Sequence, residues 1–259
     1  MTIASWTHRP HTSTDREEEA IMSPFSNTTA VLVHGAFADN SSWTGVVERL
    51  NRNGVRACAA SNPLRSVSDD AQYIADVVRG IDGPVVLVGH SYGGFVNTQA
   101  AALVSNVEAL VYVSAFAPDT GESPAQLTTL HPGSTLCESV VGTPLSSGEL
   151  DLTIRPDHFR RQFCADVNDS TAAIMAATQR AISSRAVNEG LRATTPGWRG
   201  IPSWFVYGTE DRNIPDATLA FCAERARSRG TTRVEGASHA ISVSEPEAVV
   251  QSILLAIAR

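Results

Sequence analysis

The fold is decided by the stretch Val88-Gly89-His90-Ser91-Tyr92-Gly93-Gly94. An apolar run at residues 84–88 precedes it, and a small-residue stretch typical of a helix follows at 95–103. A serine between glycines at such a junction predicts a sharp strand–turn–helix whose hydroxyl stands clear of the sheet edge. Glycine is favoured on both sides because the strand and the helix come too close for side chains. The N–H groups that begin the helix would then point towards Ser91.

Composition limits the class of protein and its partners. A chain of 259 residues, 42% of them hydrophobic, suits one globular domain that has room for a large insertion. A net charge of −7 without a basic cluster argues against binding to nucleic acid. No apolar run approaches the roughly 20 residues that cross a bilayer, so we expect no membrane span.

The N-terminal region lacks the apolar core of a secretion signal, so we expect a cytoplasmic protein. Residues 1–28 are polar and predict a disordered tail, which leaves both Met1 and Met22 open as the native start. Four cysteines are far apart and form no C-x-x-C pair: Cys58, Cys137, Cys164 and Cys222. We interpret them as reduced packing residues, and we expect neither a metal site nor a cofactor.

Apolar runs typical of strands alternate with helical patterns along the chain. The predicted strands cover residues 29–33, 55–60, 85–88, 107–113, 203–207 and 231–235. The predicted helices cover residues 43–50, 67–78, 92–105, 215–229 and 245–258. This alternation indicates an α/β fold with a mostly parallel sheet and helices on both faces. Active residues should lie at the carboxyl ends of the strands.

The regular alternation is lost between residues 117 and 200. Short helical patches occur there, of which 169–182 is the clearest. We therefore predict a core formed by residues 29–116 and 201–259, with a helical cap or lid at 117–200. This segment, called the insertion below, should lie over the carboxyl ends of the strands.

A serine hydroxyl needs a base, which is usually a histidine oriented by a carboxylate. His239 lies between the last predicted strand and the last predicted helix, where that histidine belongs. For the carboxylate we favour Asp211, which follows the strand at 203–207. Glu210 beside it and Asp119, after the strand at 107–113, stay open as alternatives.

Two backbone N–H groups should bind the oxyanion that forms when Ser91 attacks a carbonyl. One belongs to Tyr92, directly after the serine, and the other to Ala36 in the loop after the first strand. Gly35 would let that loop come close. We interpret His34 and His90, which adjoin these loops, as structural histidines.

Four blocks together resemble the α/β-hydrolase superfamily, and within it the compact group of plant methyl esterases, hydroxynitrile lyases and related bacterial hydrolases. The blocks are Val31-Leu32-Val33-His34-Gly35-Ala36 with Trp43, Gly89-His90-Ser91-Tyr92-Gly93-Gly94, Tyr207-Gly208-Thr209-Glu210-Asp211 and Gly236-Ala237-Ser238-His239. They span residues 29 to 259 apart from most of the insertion. The first two strands of larger family members have no counterpart, so a six-stranded sheet is expected.

The resemblance and the residues together predict a serine esterase that cleaves a small-to-medium hydrophobic ester through an acyl-serine. The predicted pocket is apolar and capped by the insertion. Its candidate wall residues are Phe37, Phe116, Phe159, Phe163, Ile174, Met175 and Ile182. The expected partner is a small hydrophobic substrate, and no oligomeric state is predicted.

Two other functions fit the same motifs, because a fold does not fix a reaction. A lyase, an epoxide-hydrolase-like enzyme or a perhydrolase could use the same residues differently. The serine at position 91 argues against the usual epoxide mechanism, which needs an aspartate there. A receptor-like ligand-binding module is the other alternative, although it would not need the whole set of catalytic residues.

Overall fold

A computed structural model describes residues 27–259 of the chain. The predicted tail at 1–28 therefore lies almost wholly outside the described residues. The strands are β1 (Thr29–Val33), β2 (Arg56–Ala60), β3 (Val85–His90), β4 (Val107–Val113), β5 (Val140–Pro144), β6 (Leu150–Ile154), β7 (Ile182–Ser183), β8 (Ser203–Gly208) and β9 (Gly230–Val234). The α-helices are α1 (Thr44–Arg52), α2 (Val67–Arg79), α3 (Gly93–Ala100), α4 (Pro124–Thr128), α5 (Leu136–Ser139), α6 (Pro156–Phe163), α7 (Asp169–Thr178), α8 (Ser184–Asn188), α9 (Asp216–Arg225), α10 (Ile241–Ser244) and α11 (Pro246–Ala258).

Six of the strands form one parallel sheet in the order β2-β1-β3-β4-β8-β9. The predicted α/β fold with a parallel six-stranded sheet is therefore confirmed. The chain first steps from β1 to β2 and then returns to the other side of β1 for β3. Loops that follow β1 and β3 consequently diverge at the carboxyl edge, and ligands of such sheets bind at this kind of crevice.

Strand residues pack alternately on the two faces because successive side chains point in opposite directions. In β1, Val31 and Val33 belong to the core formed with α2, α3 and α9. Ala30 and Leu32 belong to the core formed with α1 and α11 on the other face. The four central strands β1, β3, β4 and β8 are buried on both faces, which explains why they are nearly continuous apolar runs. The edge strands β2 and β9 are partly exposed and more polar.

Three predicted helices extend several residues beyond the observed ones. The helix expected at 215–229 is observed as Asp216–Arg225. The helix expected at 92–105 is α-helical over Gly93–Ala100 and ends in a 3-10 turn at Ala101–Leu103. The helix expected at 169–182 ends at Thr178, and Ile182 belongs to β7. Here pairing with β6, with Ile182 opposite Leu152, overrides the local helical pattern.

The insertion contains an antiparallel sheet that the sequence analysis did not predict. Its strands run in the order β5-β6-β7 and are flanked by the short helices α4 to α8. The insertion is hydrogen-bonded to loops that follow core strands. The amide of Phe37 donates to the carbonyl of Arg180 at 3.1 Å, and the amide of Ser183 donates to the carbonyl of Leu64 at 2.9 Å. Its action as a lid stays a prediction.

The turn after β3 is closed by three glycines that have neighbouring backbone where a Cβ would lie. A Cβ on Gly93 would be 2.4 Å from the carbonyl oxygen of Val33, and one on Gly94 would be 2.2 Å from that of Phe116. A Cβ on Gly89 would be 2.7 Å from the backbone of Gly93. The sequence therefore needs glycine at all three positions to pack α3 against the sheet.

We expect the substitution Gly93→Ala to lower the free energy of unfolding by about 3 kcal/mol, because backbone must move to admit the methyl group. Gly200→Ala is the matched control, since its Cβ would meet nothing within 4 Å. This control should change stability by less than about 0.5 kcal/mol. Urea unfolding at neutral pH measures both values, and equal stabilities of the two variants would contradict the steric explanation.

Candidate active site

Ser91 occupies the turn between β3 and α3 in a left-handed backbone conformation, with φ of 54°. A residue with a side chain rarely adopts this conformation, and here the packed glycines around it enforce it. The amide of Ser91 donates to the carbonyl of Val113 at 3.2 Å, which ties the turn to the end of β4. The side chain lines an apolar cavity at the carboxyl edge of the sheet.

Asp211 and His239 form a buried pair on the neighbouring loops that follow β8 and β9. The Oδ2 of Asp211 lies 2.6 Å from the Nδ1 of His239, and both side chains are fully buried. The other carboxylate oxygen accepts from the amides of Asn213 at 2.8 Å and Ile214 at 2.9 Å. These bonds fix the carboxylate, and through it the imidazole is held with Nε2 free to accept a proton.

The two alternative carboxylates lie elsewhere. Glu210 is exposed to solvent. Asp119 forms an ion pair with Arg199 at 2.5 Å on the surface. Of the three candidates, Asp211 is therefore the one that the structure brings to His239.

The Nε2 atom of His239 is buried and has no hydrogen-bond partner within residues 27–259. The hydrogen bond from Ser91 that a base would accept is thus not formed in this arrangement. Bonds of this kind are often long before substrate binds and tighten in the complex.

The loop after β1 lies directly against the serine. A Cβ on Gly35 would be 2.7 Å from the Cβ of Ser91, so glycine is what permits this approach. Ala36 and Tyr92 line the same cavity as Ser91. Neither of their amides donates a hydrogen bond to another residue that the structure describes. Among residues 27–259, both N–H groups are therefore without a protein acceptor.

The cavity beside Ser91 has a volume of about 350 Å³ and a mostly apolar wall. Phe37, Phe116 and Ile182 line it, as expected from the sequence. Phe159 and Phe163 do not line it and are buried in the core, with their rings stacked at 5.1 Å. Ile174 and Met175 line a separate cavity of about 100 Å³, which shares Phe37 with the first.

Most of the cavity wall comes from insertion residues that were not singled out as pocket candidates. They include Pro124, Thr128, Leu136, Cys137, Val140, Leu152 and Val187, and Ile214 of the core joins them. One local signal could have indicated part of this wall. The alternation of Leu150, Leu152 and Ile154 with polar residues is typical of a strand.

His34 and His90 are neutral structural residues, in line with their interpretation from the sequence. The Nε2 of His34 accepts from the amide of Asn62 at 3.1 Å, and its Nδ1 donates to the carbonyl of Gly35 at 2.9 Å. Burial lowers the pKa of His34 to about 4. Burial and the neighbouring His239 hold the pKa of His90 well below its usual value, and its Nε2 donates to the His239 carbonyl at 3.0 Å.

Tyr92 has a second role, which the sequence did not indicate. Its hydroxyl donates to Oδ2 of the fully buried Asp70 at 2.8 Å. Burial raises the pKa of Asp70 and raises that of Tyr92 well above its usual value. The Asp70 carboxylate also accepts from the amide of Arg65 at 3.1 Å. The residue after the serine is therefore anchored to the start of α2.

A model of the alpha/beta hydrolase family matches residues 30–252 of the chain. The chain belongs to the alpha/beta hydrolase family. Within residues 27–259, this alpha/beta hydrolase contains no cluster of His, Cys, Asp and Glu that could hold a metal ion. None of the helices described for it is long and apolar enough to span a membrane.

Two curated relatives from Arabidopsis thaliana cover nearly the whole hydrolase domain. An alpha-hydroxynitrile lyase is 22% identical over 245 residues, which are 86% of this chain and 94% of that protein. Methylesterase 9 is 24% identical over 247 residues, which are 86% of this chain and 96% of that protein. Similarity to methylesterases supports an esterase-type hydrolase.

The crystal structure of polyneuridine aldehyde esterase has the same fold. It superposes with a TM-score of 0.77 at 18% identity, covering 90% of this alpha/beta hydrolase and 100% of that chain. At this identity the match establishes the fold alone.

The buried His34 predicts a specific dependence of stability on pH. The unfolded chain takes up a proton on this imidazole as the pH falls below 6.5, whereas the folded chain does so near pH 4. Folding is therefore destabilised as the pH falls through this window, by about 1.4 kcal/mol per pH unit for one proton. The variant His34→Gln should lose that much of the slope between pH 6 and 4.5.

Urea unfolding at a series of pH values measures these slopes. Above pH 7 the wild type and His34→Gln should have the same slope, which serves as the internal control. An unchanged slope in the acidic window would show that His34 is already protonated in the folded protein.

Proposed function

We propose that this alpha/beta hydrolase is a serine esterase that acts through an acyl-serine intermediate, with Ser91 as nucleophile, His239 as base and Asp211 as its orienting carboxylate. The observation that carries the proposal is the buried Asp211–His239 hydrogen bond of 2.6 Å on loops next to the strained Ser91 turn. A buried carboxylate on Nδ1 is what a histidine needs to accept a proton at Nε2 and to carry the resulting charge.

In the proposed reaction, the Nε2 of His239 accepts the Ser91 proton while Oγ attacks the ester carbonyl. The amides of Ala36 and Tyr92 bind the oxyanion, each contributing about 3–4 kcal/mol to the transition state. His239 then gives its proton to the leaving alcohol, and the acyl-serine remains. Water attacks this ester with His239 as base, which releases the acid and restores Ser91.

The cavity indicates the class of substrate. Its wall is mostly apolar, and its volume of about 350 Å³ is at the small end for ligand pockets. Such a site favours a small-to-medium hydrophobic ester over a polymer or a highly charged compound. Leu152, Val187 and Ile182 of the insertion supply part of the apolar surface, so we expect the insertion to select the substrate.

Hydroxynitrile cleavage is a second candidate, and the similarity to an alpha-hydroxynitrile lyase favours it. A lyase would use His239 to remove a hydroxyl proton and would form no covalent bond to Ser91. The two candidates are therefore separated by whether an acyl-serine accumulates and by whether cyanide is released from a hydroxynitrile.

A fluorophosphonate probe should label the wild-type protein at Ser91, because the reagent traps an activated serine. The variant Ser91→Ala should lose the label together with hydrolysis of p-nitrophenyl esters. Ser114→Ala is the matched control, since Ser114 also has a left-handed φ, of 41°, at the end of a core strand. Mass spectrometry locates the label. Ester turnover that persists in Ser91→Ala would exclude the acyl-serine mechanism.

A larger side chain in the cavity wall should exclude esters with long acyl chains. We expect Leu152→Trp to lower kcat/KM for p-nitrophenyl octanoate by about tenfold or more, because the indole takes up space that the chain needs. Turnover of the acetate should change much less. Leu150→Trp, on the same strand but 40% exposed and outside the cavity lining, is the control. Equal losses of kcat/KM for the octanoate and the acetate would show that the acyl chain does not lie beside Leu152.

A further inference from the structure

One short stretch of the insertion touches both loops that carry the Asp211–His239 pair. It comprises residues 162–166, at the end of α6 and in the turn after it, and is called the bracing segment below. Its contacts are of three kinds, made by Gln162, Phe163 and Asp166. None of these side chains lines the cavity beside Ser91.

Gln162 holds the turn that carries the carboxylate. It is buried, with 3% of its surface exposed, and its Nε2 donates to the carbonyl of Arg212 at 2.8 Å and to Oδ1 of Asn213 at 2.9 Å. Its Oε1 accepts from the hydroxyls of Thr135 at 2.8 Å and Ser139 at 3.1 Å. The amide group is thus fully used, and it fixes the backbone that donates to Asp211.

Asp166 holds the loop that carries the imidazole. Its carboxylate accepts from the Ser238 amide at 3.1 Å and from the Ser238 hydroxyl. Ser238 is buried and directly precedes His239. Asp166 is itself an exposed residue. Its carboxylate contacts the loop that carries His239 through these two hydrogen bonds to Ser238.

Phe163 packs against the imidazole itself. The two rings meet edge to face, with their centroids 5.0 Å apart. Phe163 also contacts His90, whose Nε2 donates to the carbonyl of His239. Three contacts therefore hold the imidazole of His239. Asp211 binds its Nδ1, Phe163 packs against its ring, and His90 donates to the backbone carbonyl of the same residue.

We propose that the bracing segment positions the Asp211–His239 pair for proton transfer, with Gln162, Phe163 and Asp166 as positioning residues. The proposal rests on the proposed function of that pair. A displacement of about 1 Å at a catalytic group can cost up to about 100-fold in rate, so loss of one tie should be measurable in turnover. The segment belongs to the insertion, which thereby contributes to the chemistry as well as to the cavity wall.

The test compares Asp166→Ala with Asp157→Ala, which removes an equal charge from an exposed residue of α6 that pairs with Arg155. For Asp166→Ala we expect kcat for a p-nitrophenyl ester to fall about tenfold or more, with KM changed less than about twofold. Labelling by fluorophosphonate should slow by the same factor. Asp157→Ala should keep both rates. Urea unfolding identifies the conditions in which both variants are fully folded, and the rates are compared there.

Asp166→Asn separates position from charge, because it keeps an acceptor for Ser238 without the negative charge. It should retain most of the wild-type rate and the wild-type pH profile of kcat/KM. If Asp166→Asn loses as much rate as Asp166→Ala and the pH profile of kcat/KM shifts, the proposal is overturned. Asp166 would then act on His239 through its negative charge, not by positioning the loop. A change in KM alone would also overturn it and would assign the segment to substrate binding.

A proton NMR signal distinguishes failure of this proposal from failure of the proposed function. The Nδ1 proton shared by His239 and Asp211 should give a low-field resonance, assigned by its loss in Asp211→Asn. Asp166→Ala should shift or broaden it, whereas Asp157→Ala should not. If the wild type hydrolyses no ester, the proposed function fails, and this signal still decides whether the segment holds the pair. If the resonance is unchanged in Asp166→Ala, the bracing segment does not position the Asp211–His239 pair.

Discussion

The site depends on the close approach of α3 to the sheet at Gly93, where a Cβ would be 2.4 Å from the carbonyl oxygen of Val33. That contact brings the start of the helix onto the end of β1 and forces Ser91 into a left-handed conformation. It also fixes the distance between the serine and the loop at Gly35. A side chain at any of these glycines would separate Ser91, the proposed nucleophile, from the amides beside it.

Strand order explains how residues distant in the chain meet at one place. β1 and β3 are neighbours, so the loop at Gly35 and Ala36 lies beside the Ser91 turn. β8 and β9 are also neighbours, which places Asp211 near His239. β4 lies between the two pairs and brings Phe116 to the cavity. The parallel sheet thus holds the Asp211–His239 pair and Ser91 on separate but rigid supports.

Local sequence indicated the strands of the parallel sheet, the Ser91 turn and the positions of Asp211 and His239. Ser91 and Asp211 follow strands whose apolar runs are visible in the sequence, and His239 precedes the last helical pattern. Local sequence indicated only a small part of the cavity wall and none of the hydrogen bonds between loops. Gln162 and Arg212 are 50 residues apart and meet through a fold that no periodic pattern records. In the insertion, β7 has two residues, and its pairing with β6 is a tertiary effect that replaced the expected end of a helix.

The insertion both lines the cavity and is hydrogen-bonded to the loops at the site. These two roles matter for any attempt to change the substrate specificity. Leu152, Ile182 and Val187 face the cavity, whereas the carbonyl of Arg180 holds the amide of Phe37 on the loop beside the serine. Exchanging the whole insertion for that of a relative would therefore replace the wall and at the same time break its hydrogen bonds to the loops beside Ser91 and His239. Grafts confined to cavity-facing side chains leave those ties intact, and they are the route by which a new specificity can be built on the same chemistry.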